Sequence, residues 1–464
     1  MEGPATYCFG EKDIFRDRRL DKRLAKMFNA LAKHPEGTLP RRLTSRTDLV
    51  GGYRLFNNSK VTHATIIAAH SCEALAQLAG YRGRLLLLHD STVLDYSGLG
   101  IRELGQVGNG NGRGLYAHNS LAVIPETRQV VGLINQILHQ RATVPKGSET
   151  PAEAKQRASR ESRLWKRGVM GSPAFPEGVQ CTDVSDRGSD VTEYMSYEIT
   201  AGRQFIVRSQ HNRRCVDEAR EKDIEKFHAY LRSLTSAGQY TLTVGAEKGG
   251  TRNALMAVSF AKVNILPPRQ AKGDHDDTPL PVWGVRVYEV PDPDASPEKE
   301  PLLEWMLLTN RAVFTVDAAR VVAEDYACRW TIEEFHKAQK TGCGIEDLQM
   351  TTRHGLDNAI ALLSVLAVHV LKLRCLARDP NMRDTLAQDH EEPLKVKLAA
   401  HSSRHDNWKT MTVWQYYIAV ARLGGYMLNA HKRPPGWIVL WRGYMRLEDM
   451  CHGVRLLDEK CVQT

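Results

Sequence analysis

Apolar residues recur at helical spacing at Leu20, Leu24, Met27, Phe28 and Leu31, so one face of this segment packs while Arg16, Arg19, Arg23 and Lys26 face outward. The run His34-Pro35-Glu36-Gly37 ends that helix, and a second helical stretch covers about Val61 to Leu78. The pattern then changes. Leu85 to Leu88 are four consecutive apolar residues stopped by His89-Asp90-Ser91-Thr92, which predicts a short buried strand with Asp90 beyond its end. After a Gly/Asn-rich loop from Gly105 to Gly114, two further strands are expected at Leu115–Ile124 and Gln129–Gln140, joined at Pro125-Glu126. Pro151 opens a charged helix running to about Arg167, followed by a strand at Val179–Val184, a helix from about Ser189 and a strand at Gln204–Arg208.

This alternation predicts an α/β layer with a mixed sheet. From Tyr240 to Asn310 the pattern is β, with strands at Tyr240–Val244, Ala254–Val263, Val282–Val290 and Leu302–Thr309. Beyond it the chain reads as helical through Asp357–Ala377, Val413–Met427 and Ile438–Leu457. Five parts follow: an N-terminal helical domain at 1–79, a first core part at 80–239, a β-rich insertion at 240–310, a second core part at 311–378 and a C-terminal helical domain at 379–464. The apolar run Ala359 to Leu373 is shorter than the ~20 residues a membrane helix needs, so no membrane partner is expected. The first thirty residues are rich in charge and carry no apolar signal segment, from which a cytoplasmic location is expected.

Charge sharpens this picture once it is located. The whole chain carries a formal +9, yet between Lys12 and Lys60 there are 13 Lys or Arg against 5 Asp or Glu. Such a basic segment is either a solvated helix face or a DNA-phosphate-binding domain. Arg16, Arg19, Arg23, Lys26, Arg41, Arg42 and Arg54 are its candidate DNA contacts. The nine cysteines are scattered without a Cys-x-x-Cys pair, which argues for free thiols and against a zinc site. The Gly-rich loop at 105–114 lacks a following Lys-Ser/Thr, so no nucleotide cofactor is expected.

The segment from Tyr326 to Lys340 concentrates the chemistry. On a continuous α-helix, Arg329, Glu333, Lys337 and Lys340 fall at about −60°, −20°, +20° and −40° from Tyr326, on one face. Ile332, Phe335 and Ala338 occupy the other side. A carboxylate flanked by a phenol, a guanidinium and two ammoniums suits phosphate chemistry, but Glu333 needs other acids to hold a hard cation. Asp90 and Asp186, each at an expected strand end, are the candidates; Asp95, Asp183, Asp190 and Glu334 are rivals that spacing alone does not eliminate. Taken singly, Trp305 and Trp330 read as core aromatics and Arg208 as one half of a surface ion pair. His89 and His336 read as structural residues.

The spacing Tyr326-(2)-Arg329-(3)-Glu333-(6)-Lys340, with Ile332-Glu-Glu-Phe-His-Lys-Ala338, resembles the signature of bacterial cut-and-paste DDE transposases of the hairpin-forming transposon-five (Tn five, IS four) type. Phe15-Arg-Asp-Arg-Arg with Gly52-Tyr53-Arg54, Asp90-Ser-Thr, Asp186-Arg-Gly-Ser-Asp190 and Ala421-Arg-Leu-Gly-Gly-Tyr426 extend the resemblance along nearly the whole chain, with Gly188 standing where the family usually has Glu. The resemblance implies an RNase H-like catalytic core with a mixed sheet, interrupted by the β-rich insertion and flanked by an N-terminal helical DNA-binding domain and a C-terminal helical dimerisation domain. It assigns Asp90, Asp186 and Glu333 to catalysis and to two Mg²⁺ ions per active site, with Mn²⁺ substituting. Tyr326, Arg329, Lys340 and Arg208 become phosphate contacts, joined by Lys337 on the same helix face. Trp305 becomes the stacking partner of a flipped base.

The implied protein binds transposon end DNA and cleaves it by two-metal hydrolysis and hairpin formation. It then joins the 3′ ends to target DNA, working as a homodimer that is nucleoid-associated in a bacterial cytoplasm when DNA-bound. Two other readings stand beside this one: a non-catalytic DNA-binding regulator or inhibitor derived from a transposase, and an RNase H-like nuclease without strand transfer.

Overall fold

The computed structural model describes residues 8–10, 13–33, 37–43, 45–108, 110–142, 148, 150, 153, 157, 159–217, 224–245, 251–267, 278–291, 302–376, 382–427 and 435–461. Four helices come first: α1 (Arg18–Lys33), α2 (Leu39–Arg42), α3 (Arg46–Phe56) and α4 (His63–Ala76). Strands β1 (Gly83–Asp95), β2 (Gly105–Gln106), β3 (Arg113–Ile124) and β4 (Gln129–His139) follow. Helix α5 (Leu164–Met170) leads to β5 (Val179–Ser185), α6 (Thr192–Thr200) and β6 (Gln204–Arg208). Then come β7 (Arg214–Asp217), β8 (Ile224–Lys226), α7 (Phe227–Ser233), β9 (Gly238–Gly245), β10 (Thr251–Ile265), β11 (Leu280–Glu289) and β12 (Glu304–Thr309). The chain closes with α8 (Val316–Ala327), α9 (Trp330–Lys337), α10 (Arg353–Leu376), α11 (Pro393–Ser403), α12 (Val413–Leu423) and α13 (Trp437–Cys461).

The expected α/β layer with a mixed sheet is present. Strands β4, β3 and β1 pair antiparallel, and β1, β5 and β6 pair parallel, giving the order β4-β3-β1-β5-β6. The strands expected between 240 and 310 form, but they do not make a separate sheet. β12 pairs antiparallel with β6, and β11, β10, β7 and β8 continue from it, so one twelve-stranded sheet runs through both regions. Of the charged helix expected from Pro151, the residues up to 158 lie mostly outside the described ones, and the observed helix is α5.

The largest departure concerns β1, which does not stop at Leu88. It continues to Asp95 because β3 pairs with it as far as Asp95↔Gly114. The polar residues that read as a terminator find partners inside the sheet: His89 bonds Ser120 and Asp183, and Ser91 bonds His118. Buried polar groups are tolerated when so paired. Asp90 is therefore a mid-strand residue.

α10 meets the length and composition of a membrane span, with a mean hydropathy of 1.5 over Arg353–Lys372, contrary to the shorter run read from Ala359. Yet 83% of that window is buried inside the fold, against β4 and α4. Its all-round apolarity is that of a central core helix. In the C-terminal layer Tyr416 and Tyr417 are buried and Trp414 stacks on Tyr417 at 5.4 Å, so these aromatics pack within the chain. Helix α12 opens with a capping box in which Thr412 accepts from the Gln415 N–H and the Gln415 side chain accepts from Thr412. Thr412→Ala is expected to lower stability by about 1 kcal/mol, read as a shifted urea midpoint at unchanged slope.

Candidate active site and DNA-binding face

The parallel ladder between β1 and β5 ends at the pair His89↔Ser185. Asp90 follows on β1 and Asp186 comes directly after β5, so the ladder's end places two carboxylates side by side. Asp186 caps the short turn Arg187–Ser189, accepting from the Gly188 N–H at 2.9 Å. Gly188, at the position where the resembled family has Glu, is packed so closely that a Cβ would lie 2.7 Å from the Trp165 ring. A larger residue there would displace that indole, which itself lies edge-on to His118.

Helix α9 packs across β1 and brings the third acid. Arg329 donates to Glu333 at 2.5 Å and to Asp90 at 3.4 Å, bridging helix and sheet with one guanidinium. Burial, followed by the Asp186 charge, pushes the Asp90 carboxyl up to about 7, and Glu333 adds to the rise against the Ser91 N–H and Arg329. Asp90 thus feels the charge of both other acids. Among the described residues, however, no three or more His, Cys, Asp or Glu side chains form a group that could hold a metal ion. Arg329 supplies the positive charge between Asp90 and Glu333.

The rival acids are mostly engaged elsewhere. Asp183 is fully buried between His89 and Arg203, and Asp190 accepts from the Gln210 and His211 N–H groups and from Arg213. Asp95 is exposed and accepts from Ser97. Glu334 is half-buried, and its neighbour Glu333 carries the bond to Arg329. His336 is held neutral, its pKa lowered to about 3 by burial and then by Lys340 and Arg329, and it accepts from Asn119 at 3.1 Å. Asn119 faces Asp90 across the β1–β3 ladder, so this bond ties α9 to the strand behind the acids.

The expected single stripe from Tyr326 to Lys340 is broken in two places. α8 ends at Ala327, and α9 gives way to a π-helical turn at Ala338–Gly342, which shifts Lys340 off the ideal helical phase. Lys340 pairs with Glu346 at 3.2 Å, while Lys337 is exposed. Ile332, Phe335 and Ala338 are fully buried, as read. Tyr326 is only 4% exposed and meets Trp305 edge to face at 5.4 Å, so its ring is part of the wall behind the site. Trp330, read as a core aromatic, is 62% exposed. Its position one residue after Arg329, on the side of α9 away from Ile332 and Phe335, is the signal that could have found it. Arg208 ends β6 and donates to the Glu304 carbonyl at 3.3 Å, with no carboxylate partner of the kind expected of a surface ion pair among the described residues.

In the N-terminal region α1 crosses α3 at Gly51-Gly52. A Cβ on Gly52 would lie 2.1 Å from Met27, and one on Gly51 would lie 2.3 Å from Arg23, so the two glycines permit the close approach. A groove of about 510 Å³ between these helices gathers Arg19, Arg23 and Arg54, with Arg46, which pattern reading passed over. Lys26 pairs with Asp48 at 2.5 Å, and Arg16 and Arg41 are exposed. Arg42 does not belong to this face. It is 2% exposed and its guanidinium donates to the Cys343 carbonyl, locking the N-terminal region to the turn after α9.

Residues 10–61, which span this groove, match the family model described as Transposase DNA-binding. That segment is similar to the DNA-binding domain of transposases. Among solved structures, a piggyBac transposase synaptic complex with hairpin DNA aligns over 98% of this chain and 82% of its own, at 9% identity and a TM-score of 0.37. A likeness of that degree bears neither on fold nor on mechanism.

Proposed function

We propose that the protein is a metal-dependent DNA transposase of the DDE type, with Asp90, Asp186 and Glu333 as its catalytic acids. The observation that carries this reading is the meeting of Asp90 and Asp186 at the end of the β1–β5 ladder with Glu333 across from them, joined through Arg329. The strand order β4-β3-β1-β5-β6, antiparallel then parallel, supports an RNase H-like core. The match of residues 10–61 supports binding of transposon end DNA through the α1–α3 groove.

The donor set fits hard divalent cations, because all three groups are carboxylates and burial, followed by the charges of Asp186 and Glu333, raises the Asp90 pKa, an unfavourable state that added positive charge relieves. Asp90, Asp186 and Glu333 would hold two Mg²⁺ ions, or Mn²⁺ in their place. The chemistry such ions supply is activation of an attacking oxygen and stabilisation of a leaving one. The chain's own part is orientation. Arg329 releases one of its two carboxylate partners and turns to a phosphate oxygen, for which its planar fork is suited. Lys337 at the end of α9 and Lys340 in the π-helical turn after it add charge near the site, and the His336–Asn119 bond ties α9 to β3, the strand paired with β1. Action as a homodimer, joining to target DNA and the nucleoid setting follow from the family resemblance.

Incubating the protein with Mg²⁺ and a duplex carrying the inverted repeats that flank its gene tests this reading. Cleaved ends and strand-joined products are expected. Binding without cleavage would establish the regulator, and hydrolysis without joining the simple nuclease. Trp305→Ala is expected to leave first-strand nicking unchanged while hairpin formation falls about 5- to 160-fold, since stacking on an aromatic is worth roughly 1–3 kcal/mol per base. Equal loss of both steps would make Trp305 a packing residue behind Tyr326.

A further inference from the structure

A row of polar side chains crosses the sheet away from the acids. Asp90 on β1 faces Asn119 on β3, and Asn119 faces Gln136 on β4. Directly paired residues point to the same side of a sheet, so the row lies under α9, and Gln136 stands about 10 Å from Asp90 at two strand spacings. Asn119 and Gln136 are buried, as are Ser364 on α10 and Gln339 in the π-helical turn. Buried amides are costly unless paired. These pair in one direction. His63, the first residue of α4, donates from Nε2 to Gln136 Oε1 at 3.0 Å. Gln136 Nε2 donates to Asn119 Oδ1 at 2.7 Å and to the Ser364 hydroxyl at 2.9 Å, and that hydroxyl also accepts from Gln339. Asn119 Nδ2 in turn donates to His336 Nε2. Burial lowers the His63 pKa against the bond to Gln136, so this neutral ring carries its hydrogen on Nε2. Turning either amide over would set donor against donor and acceptor against acceptor, so the orientation of each group fixes the next.

Both N–H groups of Gln136 thus lead to the segment that carries Glu333, one through Asn119 to His336 and the other through Ser364 to Gln339. We propose that Gln136 is a positioning residue for DNA cleavage, the node from which a buried chain of hydrogen bonds sets α9, and with it Glu333, against the sheet and against α4. This rests on the reading of Glu333 as a catalytic acid above. The apolar contacts of Ile332 and Phe335 attract α9 to the core, but such attraction is non-directional and leaves its rotation and sliding free. Hydrogen bonds at His336 and Gln339 are directional and remove that freedom. The chain starts two residues past the segment that matches the Transposase DNA-binding model, so α9 is aligned to the N-terminal region as well as to the sheet.

The test uses the full chain and single-turnover cleavage in Mg²⁺ of a duplex carrying the inverted repeats that flank its gene, at a temperature where every variant is folded by circular dichroism. Gln136→Met is expected to slow cleavage about 10- to 100-fold, the usual loss when a group that orients a ligand from behind is removed, with the Kd for end DNA within about twofold of the parent. A merely structural residue would lower the unfolding temperature and leave the single-turnover rate of the folded protein unchanged. His336→Leu should also slow cleavage, and His336→Gln, whose amide oxygen reaches the place of Nε2, should recover most of the rate. The doubly substituted Gln136→Met/His336→Leu protein should be no more than about twofold slower than the slower single variant, because both act through one chain. A parental rate in Gln136→Met overturns the positioning role, and so does a double variant that shows the full product of the two single losses. If Gln136→Met does not fold, the two His336 variants decide, and equal rates in them overturn the role. Ring-nitrogen NMR of the unsubstituted protein reads the chain without activity: the hydrogen should sit on Nδ1 of His336 and on Nε2 of His63, and the opposite tautomer at His336 overturns it. Absence of cleavage by the unsubstituted protein overturns the transposase reading and any role in cleavage with it, whereas parental cleavage by Gln136→Met overturns the role of Gln136 alone.

Discussion

Glu333→Ala is expected to slow Mg²⁺-dependent DNA cleavage on the order of 10³–10⁴-fold, about 4–5.5 kcal/mol of barrier, with end binding within a factor of about two of the parent. Glu333 stands 34% exposed and its bond to Arg329 is a helix i,i+4 pair, so its removal costs less than about 1 kcal/mol of stability. Catalysis and folding are therefore separable at this position. The groove between α1 and α3, proposed to bind end DNA, is built from other elements, which is why binding should survive. The substitution also removes one of the charges that raise the Asp90 pKa and leaves Arg329 to Asp90 alone, so the Asp90 carboxyl should ionise more readily. Nicking at the parental rate would remove Glu333 from the active site. Glu333→Gln, which keeps the size and a hydrogen-bond acceptor, should be nearly as inactive if negative charge toward a cation is what matters.

Part of the sheet was legible: the uninterrupted apolar run Leu85–Leu88 and the apolar-rich stretches Val179–Val184 and Ala254–Val263 all lie inside observed strands. What the runs do not encode is where pairing stops. β1 extends seven residues past Leu88 since β3 offers partners for His89 and Ser91, a long-range fact absent from the local pattern. The continuity of the sheet through β6 and β12 is likewise a pairing between distant segments. Asp90 and Asp186 lie side by side, though Asp90 is mid-strand rather than at the strand end that the apolar run suggests. The N-terminal contacts show the same limit. Arg42 and Arg46 are equivalent as sequence, and only packing against Cys343 buries the first while the α1–α3 groove collects the second. The π-helical turn after Lys337 breaks a stripe that ideal 100° spacing had made continuous.

Asp90→Asn is expected to make the metal-free protein more stable at pH 8, by roughly 2–4 kcal/mol, while abolishing cleavage. The Asp90 carboxyl stands at about 7 in the fold against an ordinary value of 3.8. A group raised in this way holds its proton better folded than unfolded. Its favourable contribution is complete below pH 3.8, declines as pH rises and is lost once pH passes 7. The cause is burial beside Asp186, so above pH 7 the fold contains an ionised carboxylate that desolvation and a like charge both disfavour. Asparagine carries no such charge, and the stability difference between variant and parent should therefore open between about pH 4 and pH 7 and stay level beyond. Urea unfolding in EDTA at pH 4.5 and pH 8 reads it directly. Mg²⁺ should then narrow the gap at pH 8, because a cation binding only the folded parent stabilises it by RT ln(1 + [Mg²⁺]/Kd), whereas the variant has lost a ligand. Equal stability of the two proteins at both pH values would mean that Asp90 is neither desolvated nor crowded, and would detach the strain at this position from the chemistry assigned to it.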